Sequence, residues 1–431
     1  MSGVRDLFFD EFFEELGKVI DGAVENIQPD EPPILESSVK KVWNQYSSKD
    51  EEREDPLISV DGGVQYSHFA YGDFVAVGRA CSLTHWPGRE RSMEKKVRLY
   101  LGKVFSQRDR SFIPSYVRQI SEYQVAAAAA ERVIDEGGSP IVLLDGALYF
   151  SSFPYAMREY THHPKLLADL FSSVARLRSM SREHDFPLIG ISKDSTVFYL
   201  YMEVLKEAVR KAGLSRLAAL IGEADSPMDL RYRYERWDLQ DRGEMDRFFE
   251  ERLLCDTSLI NEVTRSEGYT LPLLLAPSIY HRRGDDVPSL LKRITDNLSS
   301  RKAEELSDAF KRLFNAPSIA VFYWKPGSRH RPFRIDILAS SLGHSEPCRD
   351  VRDNRFVGAY TDLREVERVL NHLGYWFCND VEYNIPLKQA DTLARFDRRL
   401  YRSKYEPFII DMLERAGMRI RGRRRIQREV Y

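Results

Sequence analysis

Leu57-Ile58-Ser59-Val60-Asp61-Gly62-Gly63 is an apolar run that ends in one carboxylate and two glycines. It reads as a short buried strand, with glycines that free the backbone to turn sharply where the aspartate leaves the core. Ile141-Val142-Leu143-Leu144-Asp145-Gly146 repeats the device. Two such strand ends side by side would hold two carboxylates within reach of one divalent cation. Asp-Gly is also an ordinary turn pair. What sets these two apart is that each ends a strongly apolar strand, with a helical stretch between them. That alternation predicts an α/β fold.

The chain has 431 residues, enough for two or three domains or one elaborated α/β domain. Its 43% hydrophobic and 30% charged residues are ordinary for a soluble globular protein. A net charge of -2 excludes a surface coated in positive charge, so nucleic-acid binding needs a local basic patch. Cys81, Cys255, Cys348 and Cys378 lie far apart with no C-x-x-C spacing, which argues against a structural zinc or a disulfide framework. Acids at Asp6, Asp10, Glu11, Glu14 and Glu15 stand where a signal peptide needs bases. No apolar run approaches the roughly 18 residues of a membrane span. These features predict a cytoplasmic protein with no membrane partner.

Residues from about Val4 to Ile27 spread Phe8, Phe9, Phe12, Phe13, Leu16, Val19 and Ile20 among acids, as in an amphipathic helix. Such a helix packs in the core, on a neighbouring element or on a second subunit. A charged linker then leads into the Asp61 strand. Phe69 to Val77 and Arg79 to Leu83 continue as a meander. A helix from about Pro114 through Glu122 and Ala126–Ala130 stops at Gly137-Gly138, and the Asp145 strand follows. Next come a helix from Pro164 to Arg182, a strand from Leu188 to Ile191, the tetrad Ser192-Lys193-Asp194-Ser195, and a helix from Thr196 to Ala212. The stretch from Leu214 to Asp286 is less regular. A helix from Val287 to Phe314 precedes two strands, Ser318 to Trp324 and Phe333 to Leu338. Glu365 to Leu373 is helical, and Tyr383 to Phe396 lies near or in another helix.

Three stretches suit nucleic acid. Arg231-Tyr232-Arg233-Tyr234-Glu235-Arg236-Trp237 interleaves bases with aromatics, fit for stacking and phosphate neutralisation. The same alternation fits an edge strand with one charged face. Tyr280-His281-Arg282-Arg283 and the Arg329-His330-Arg331 loop are the others, with His330 contacting phosphate or solvated. The tail from Arg419 to Arg428 holds six arginines and no acid, a run that is usually a solvated face.

Phosphodiester cleavage needs an activated water and neutralisation of charge on phosphate and leaving oxygen, which two hard cations held by three or four acids supply. Asp61 and Asp145 are two such acids. Glu122 and Glu131, on the helix between them, are candidates for a third.

The order Val-Asp-Gly-Gly, a Glu-bearing helix, Leu-Leu-Asp-Gly-Ala-Leu and Ile-Ser-Lys-Asp-Ser resembles the NurA family of DNA-repair nucleases. So does Tyr383-Asn384-Ile385-Pro386-Leu387-Lys388-Gln389-Ala390-Asp391, against the family's Tyr-Pro-x-x-Leu-x-x-Ala-His. The resemblance spans about Ile58 to Phe396. It implies an RNase H-like mixed sheet flanked by helices, with helical and loop insertions. It implies a nuclease using Mn2+, or Mg2+, with two ions, acting as a 5′–3′ exonuclease and single-strand endonuclease in DNA end resection. A homodimer and a hexameric HerA-type translocase as partner come with it.

The implied arrangement is a helical extension over 1–50, a nuclease domain over 51–400 interrupted at about 214–286, and a basic tail over 401–431. Residue by residue, Asp61 and Asp145 match the metal-binding aspartates, and Glu122 matches the helix glutamate better than Glu131. Lys193 matches the lysine of the Ser-Lys step, and Tyr383 the late tyrosine. Asp391 replaces the family's terminal histidine. An aspartate ligates Mn2+ but adds negative charge and donates no proton at neutral pH. The proline beside Tyr383 is displaced to Pro386. Two other readings follow: a DNA-end-binding subunit without turnover, and an RNase H-like enzyme acting on RNA.

Overall fold

In the computed structural model of the chain, residues 9–24, 35–49, 55–69, 72–107, 109–150, 162–224, 226–236, 254–277, 298–358 and 363–418 are described, with 289, 291–292 and 295–296. The strands are β1 (Trp43–Gln45), β2 (Leu57–His68), β3 (Asp73–His85), β4 (Ser92–Lys103), β5 (Ile141–Asp145), β6 (Leu188–Ser192), β7 (Gly268–Thr270), β8 (Leu273–Leu275), β9 (Ile319–Lys325), β10 (Phe333–Leu338) and β11 (Arg355–Phe356). The helices are α1 (Phe9–Val24), α2 (Glu36–Lys41), α3 (Asp109–Asp135), α4 (Pro164–Glu183), α5 (Tyr199–Lys211), α6 (Ser215–Glu223), α7 (Pro227–Arg236), α8 (Asp256–Val263), α9 (Ser300–Asn315), α10 (Leu363–Tyr375), α11 (Ile385–Ala394) and α12 (Glu406–Arg415).

The eleven described strands form one mixed sheet, in the order β1-β7-β9-β10-β6-β5-β2-β3-β4, with β8 on β9 and β11 on β8. β2, β3 and β4 form an antiparallel meander. β5 runs parallel to β2 and β6 parallel to β5, whereas β10 and β9 return antiparallel. The expected mixed α/β sheet flanked by helices is therefore present. Parallel strands need long crossovers, and α3 and α4 supply them.

Helices cover both faces of the central strands, so their residues are apolar without alternation. Ile58, Val60, Val142, Leu144 and Leu188 meet α3, α4 and α9 on one face. Leu57, Ile141, Leu143, Ile189 and Ile191 join a second core with α10, Tyr383 and Leu387 on the other. A third core gathers Val204, Leu205, Leu217, Leu230 and Leu259 of the helices from α5 to α8 against Val321 and Tyr323. The 214–286 stretch thus returns to the main sheet at β7 and β8.

Three expectations change. The first glycine pair does not turn the chain: β2 continues through Gly62 and Gly63 to His68, paired with β3 throughout. The Arg231–Arg236 stretch lies in helix α7, not an edge strand, with Leu230 and Tyr234 buried. And α1 is not a core helix, since Phe9, Phe12, Phe13, Val19 and Ile20 are all about half exposed or more. Trp237, the loop with Arg282 and Arg283, and the tail from Arg419 to Arg428 lie outside the described residues. Among those described, no helix is long and apolar enough to cross a membrane.

Candidate active site

Asp61 lies in the middle of β2, opposite Cys81 of β3. The β2–β5 ladder runs to Val60 and Leu144, so Asp61 and Asp145 are the next residues on adjacent parallel strands. Period-two alternation points both carboxylates to the same face of the sheet. Asp61 is 6% exposed, and its Oδ1 accepts the Gly62 N–H at 2.7 Å.

Glu122 reaches the pair from α3, on the opposite face, and Gly62 is what lets it through. A Cβ at position 62 would stand 2.6 Å from Glu122 Oε1 and 2.9 Å from its Cγ. Any larger residue displaces the glutamate. Oε1 of Glu122 lies 3.0 Å from Arg118 Nη1, one helical turn earlier. That contact is an ion pair by distance but not a well-directed hydrogen bond, because Oε1 is buried without an aligned donor.

The electrostatics follow from this crowding. Burial, then the Asp145 and Glu122 charges, push Asp61 up to about 7, against the opposing pull of the Gly62 N–H and Arg118. Burial also raises Glu122, with Arg118 opposing and Asp145 adding to it. The cluster is short of positive charge.

Asp145 is the last residue of β5, and Gly146 turns the chain with a φ of 110°. Tyr383 donates its hydroxyl to Asp145 Oδ1 at 2.6 Å. Burial, with the Asp145 carboxylate next, holds the phenol far above its ordinary range, so Tyr383 is a permanently neutral donor. Its ring stacks on Phe333 at 5.6 Å, and Lys193 Nζ stands 5.0 Å from the ring centroid. Lys193 itself is exposed, one residue past β6.

The displaced proline has a local reason: Asn384 caps α11 by accepting from the Leu387 N–H at 3.1 Å, and Pro386 sits in the first turn, where no backbone donor is needed. Asp391, further along α11, is 44% exposed in its side chain and lies 3.6 Å from Lys388. Its charge contributes to raising the Tyr383 phenol.

The alternative glutamate, Glu131, lies on the outer side of α3 and pairs with Arg176. The proposed nucleic-acid residues are dispersed and mostly occupied. Arg231 pairs with Glu235, Arg233 with Asp229 and Glu223, and Arg236 stacks over Tyr232. His330 bonds Asp380 at 3.0 Å and stands edge-on to Phe377, while Arg329 is exposed.

Asp61, Glu122 and Asp145 are hard oxygen donors short of positive charge, the chemistry that suits Mg2+ or Mn2+. Among the described residues, no three His, Cys, Asp or Glu side chains gather tightly enough to enclose an ion. An ion that keeps most of its waters needs only one or two carboxylates, so the donor set fits such a cation.

Two elements escaped sequence reasoning. Arg118 was detectable as the i,i+4 partner of Glu122 on one helix. The buried pair Arg334–Asp336, bonded at 2.7 and 2.9 Å within β10, carried no sequence signal beyond two charges in an apolar strand. Asp336 accepts the Tyr149 N–H at 2.9 Å and so anchors the connection that follows Asp145.

A NurA domain model matches residues 55–396. No curated protein matches the chain. A crystal structure of NurA aligns over 94% of this chain and 98% of its own, at 13% identity and a TM-score of 0.44. Endonuclease V of Ciona intestinalis, in complex with an inosine-containing DNA, aligns over 84% and 93% at 11% identity and a TM-score of 0.25. With the NurA domain spanning most of its length, the chain belongs to the NurA family of nucleases.

Proposed function

We propose that the protein is a metal-dependent DNA nuclease that hydrolyses phosphodiester bonds with Mn2+, or Mg2+, at two positions. The observation that carries this reading is the meeting of Asp61, Glu122 and Asp145, from two strands and a helix, at one opening in the sheet. Bound divalent ions would activate water and neutralise charge on the phosphate and leaving oxygen. Asp61, Glu122 and Asp145 would hold them, and Asp391 would supply a more exposed carboxylate from α11. Tyr383 holds Asp145 in orientation by its hydroxyl. Lys193 places a cation at the solvent side, where it meets the scissile phosphate. Arg329, exposed in the loop between β9 and β10, contacts the strand.

The finer role is action on single strands and DNA ends, as a 5′–3′ exonuclease and single-strand endonuclease, in end resection with a hexameric HerA-type translocase. A homodimer is part of the same proposal. The exposed Val97, Leu99 and Leu101 of edge strand β4, with Phe408 and Met412 of α12, offer it an apolar surface.

End-labelled single- and double-stranded DNA, incubated with Mn2+, Mg2+ or chelator, tests the activity. Cleavage with Mn2+ that disappears with chelator and in Asp61→Ala is expected. Undiminished cleavage by a folded Asp61→Ala protein sinks the site assignment. Adding the translocase tests the partner. A second reading, a DNA-end-binding subunit without turnover, draws on the absence of a preformed ion cage among the described residues and on the Asp391–Lys388 pair. Binding of Mn2+ and DNA with no cleavage would select it, and preference for RNA would redirect the substrate class.

A further inference from the structure

A cleft of about 420 Å3 opens beside the carboxylates, with Glu122 and Asp145 in its wall. One side is a single face of α3, where Ser111, Ser115, Arg118 and Glu122 follow one another at helical spacing. The opposite side is the chain leaving β5, from Asp145 to Phe150. We propose that this cleft is a subsite for one unpaired nucleotide, with Phe112 stacking on the base and Arg118 facing the adjoining phosphate. The inference rests on the nuclease reading and deepens it.

The size is that of a small-ligand pocket and far below what a duplex requires. The lining mixes aromatic rings with hydroxyls and one guanidinium. Phe112 is half-buried, its ring 5.2 Å from Tyr116 and 5.9 Å from His163, so packing supports it while part of it remains open to the cleft. Phe150 is half-buried on the far wall. Every base has a π-face, so a stacking site of this kind is tolerant of sequence. It selects for strand state instead, because a base in a duplex already has both faces covered.

Among the described residues that line the cleft, Arg118 is the cation. Among the described residues its ion pair is with Glu122, which engages one end of a group with five donors. The rest of the fork can meet a phosphate. On the other side of Asp145 and Tyr383, Lys193, Thr257 and Arg331 line a second cleft of about 360 Å3. Glu122 and Asp145 thus line the first cleft, and Tyr383, bonded to Asp145, adjoins the lysine of the second.

The test uses the full chain. Asp61→Asn is mixed with single-stranded oligonucleotides carrying 2-aminopurine at successive positions, and wild type and Phe112→Leu are assayed on strands with one abasic site. Leucine keeps the apolar volume, and a thermal melt checks folding. Stacking predicts quenched fluorescence at one or two positions, lost when Phe112→Leu is added. It also predicts a rise in KM of about tenfold for Phe112→Leu on intact strands. That rise should vanish when the abasic site occupies the same position. Equal loss on intact and abasic strands, or wild-type behaviour throughout, overturns the subsite while leaving the nuclease. A chain that neither binds nor cuts single-stranded DNA overturns both.

Discussion

Asp61-Gly62 and Asp145-Gly146 are the same dipeptide after similar apolar runs, yet their glycines do opposite things. Gly146 is a conformational glycine: its φ of 110° turns the chain, and a Cβ there would meet nothing within 4 Å. Gly62 is a spatial glycine in ordinary extended backbone, where a Cβ would strike Glu122. One aspartate ends its strand, and the other sits mid-strand beside a hole through which a carboxylate arrives from the other face. The motif is shared, but the physical demand on it is not.

Among changes that leave all three carboxylates in place, the largest expected effect comes from filling that hole. Gly62→Ala should displace Glu122 by about the distance that costs an active site a hundredfold, with kcat measured on single-stranded DNA. An unchanged kcat would show that Glu122 has no part in the chemistry.

Next is Tyr383→Phe, which leaves the ring on Phe333 but removes the hydroxyl from Asp145. Loss of such an outer partner costs about 10–100-fold in metal affinity or activity, measurable by Mn2+ titration. Asp391→Ala should cost less than this, since its side chain is 44% exposed and already paired with Lys388.

Asp61→Asn separates the two aspartates by stability. In the folded metal-free protein Asp61 titrates at about 7, raised from 3.8. The folded state therefore keeps a proton that the unfolded chain sheds, and stability falls as pH rises between those values. Asp61→Asn should raise the melting temperature of metal-free protein at pH 8 and leave it unchanged near pH 4, while abolishing cleavage. A variant less stable than wild type at pH 8 would contradict the crowding.

The smallest effect on activity belongs to Gly146→Ala. Backbone strain should lower stability by about 1–3 kcal/mol in a denaturant melt. Cleavage at a temperature where the variant is folded should stay within about twofold, since no side chain is struck.

The central strands were legible because they are apolar and separated by helices of clear period. β5, β6, β9 and β10 fall where their Val, Ile and Leu runs predict. The two glycines were not distinguishable, because a sequence shows that Cβ is missing but not what would meet it. The Arg231–Arg236 alternation read equally as strand or interface, and tertiary packing of Leu230 and Tyr234 made it helix α7. Exposure of the α1 phenylalanines was equally hidden, since amphipathicity says that a face is apolar and not what covers it. Of the candidate site, Asp61, Glu122, Asp145 and Tyr383 come together, with Lys193 at the rim. Arg118 could have been read from its spacing to Glu122.

The Tyr383–Asp145 bond joins residues 238 positions apart in the chain. At translation rates of about 5–20 residues per second, Asp145 leaves the ribosome roughly 10–50 s before its partner. Throughout that interval Asp61, Glu122 and Asp145 exist without α11 across their face. A nascent chain, or one cut short before Tyr383, thus carries the carboxylates without the group that fixes them. The group that orients Asp145 is thus made after both strands and the helix that carry the three acids.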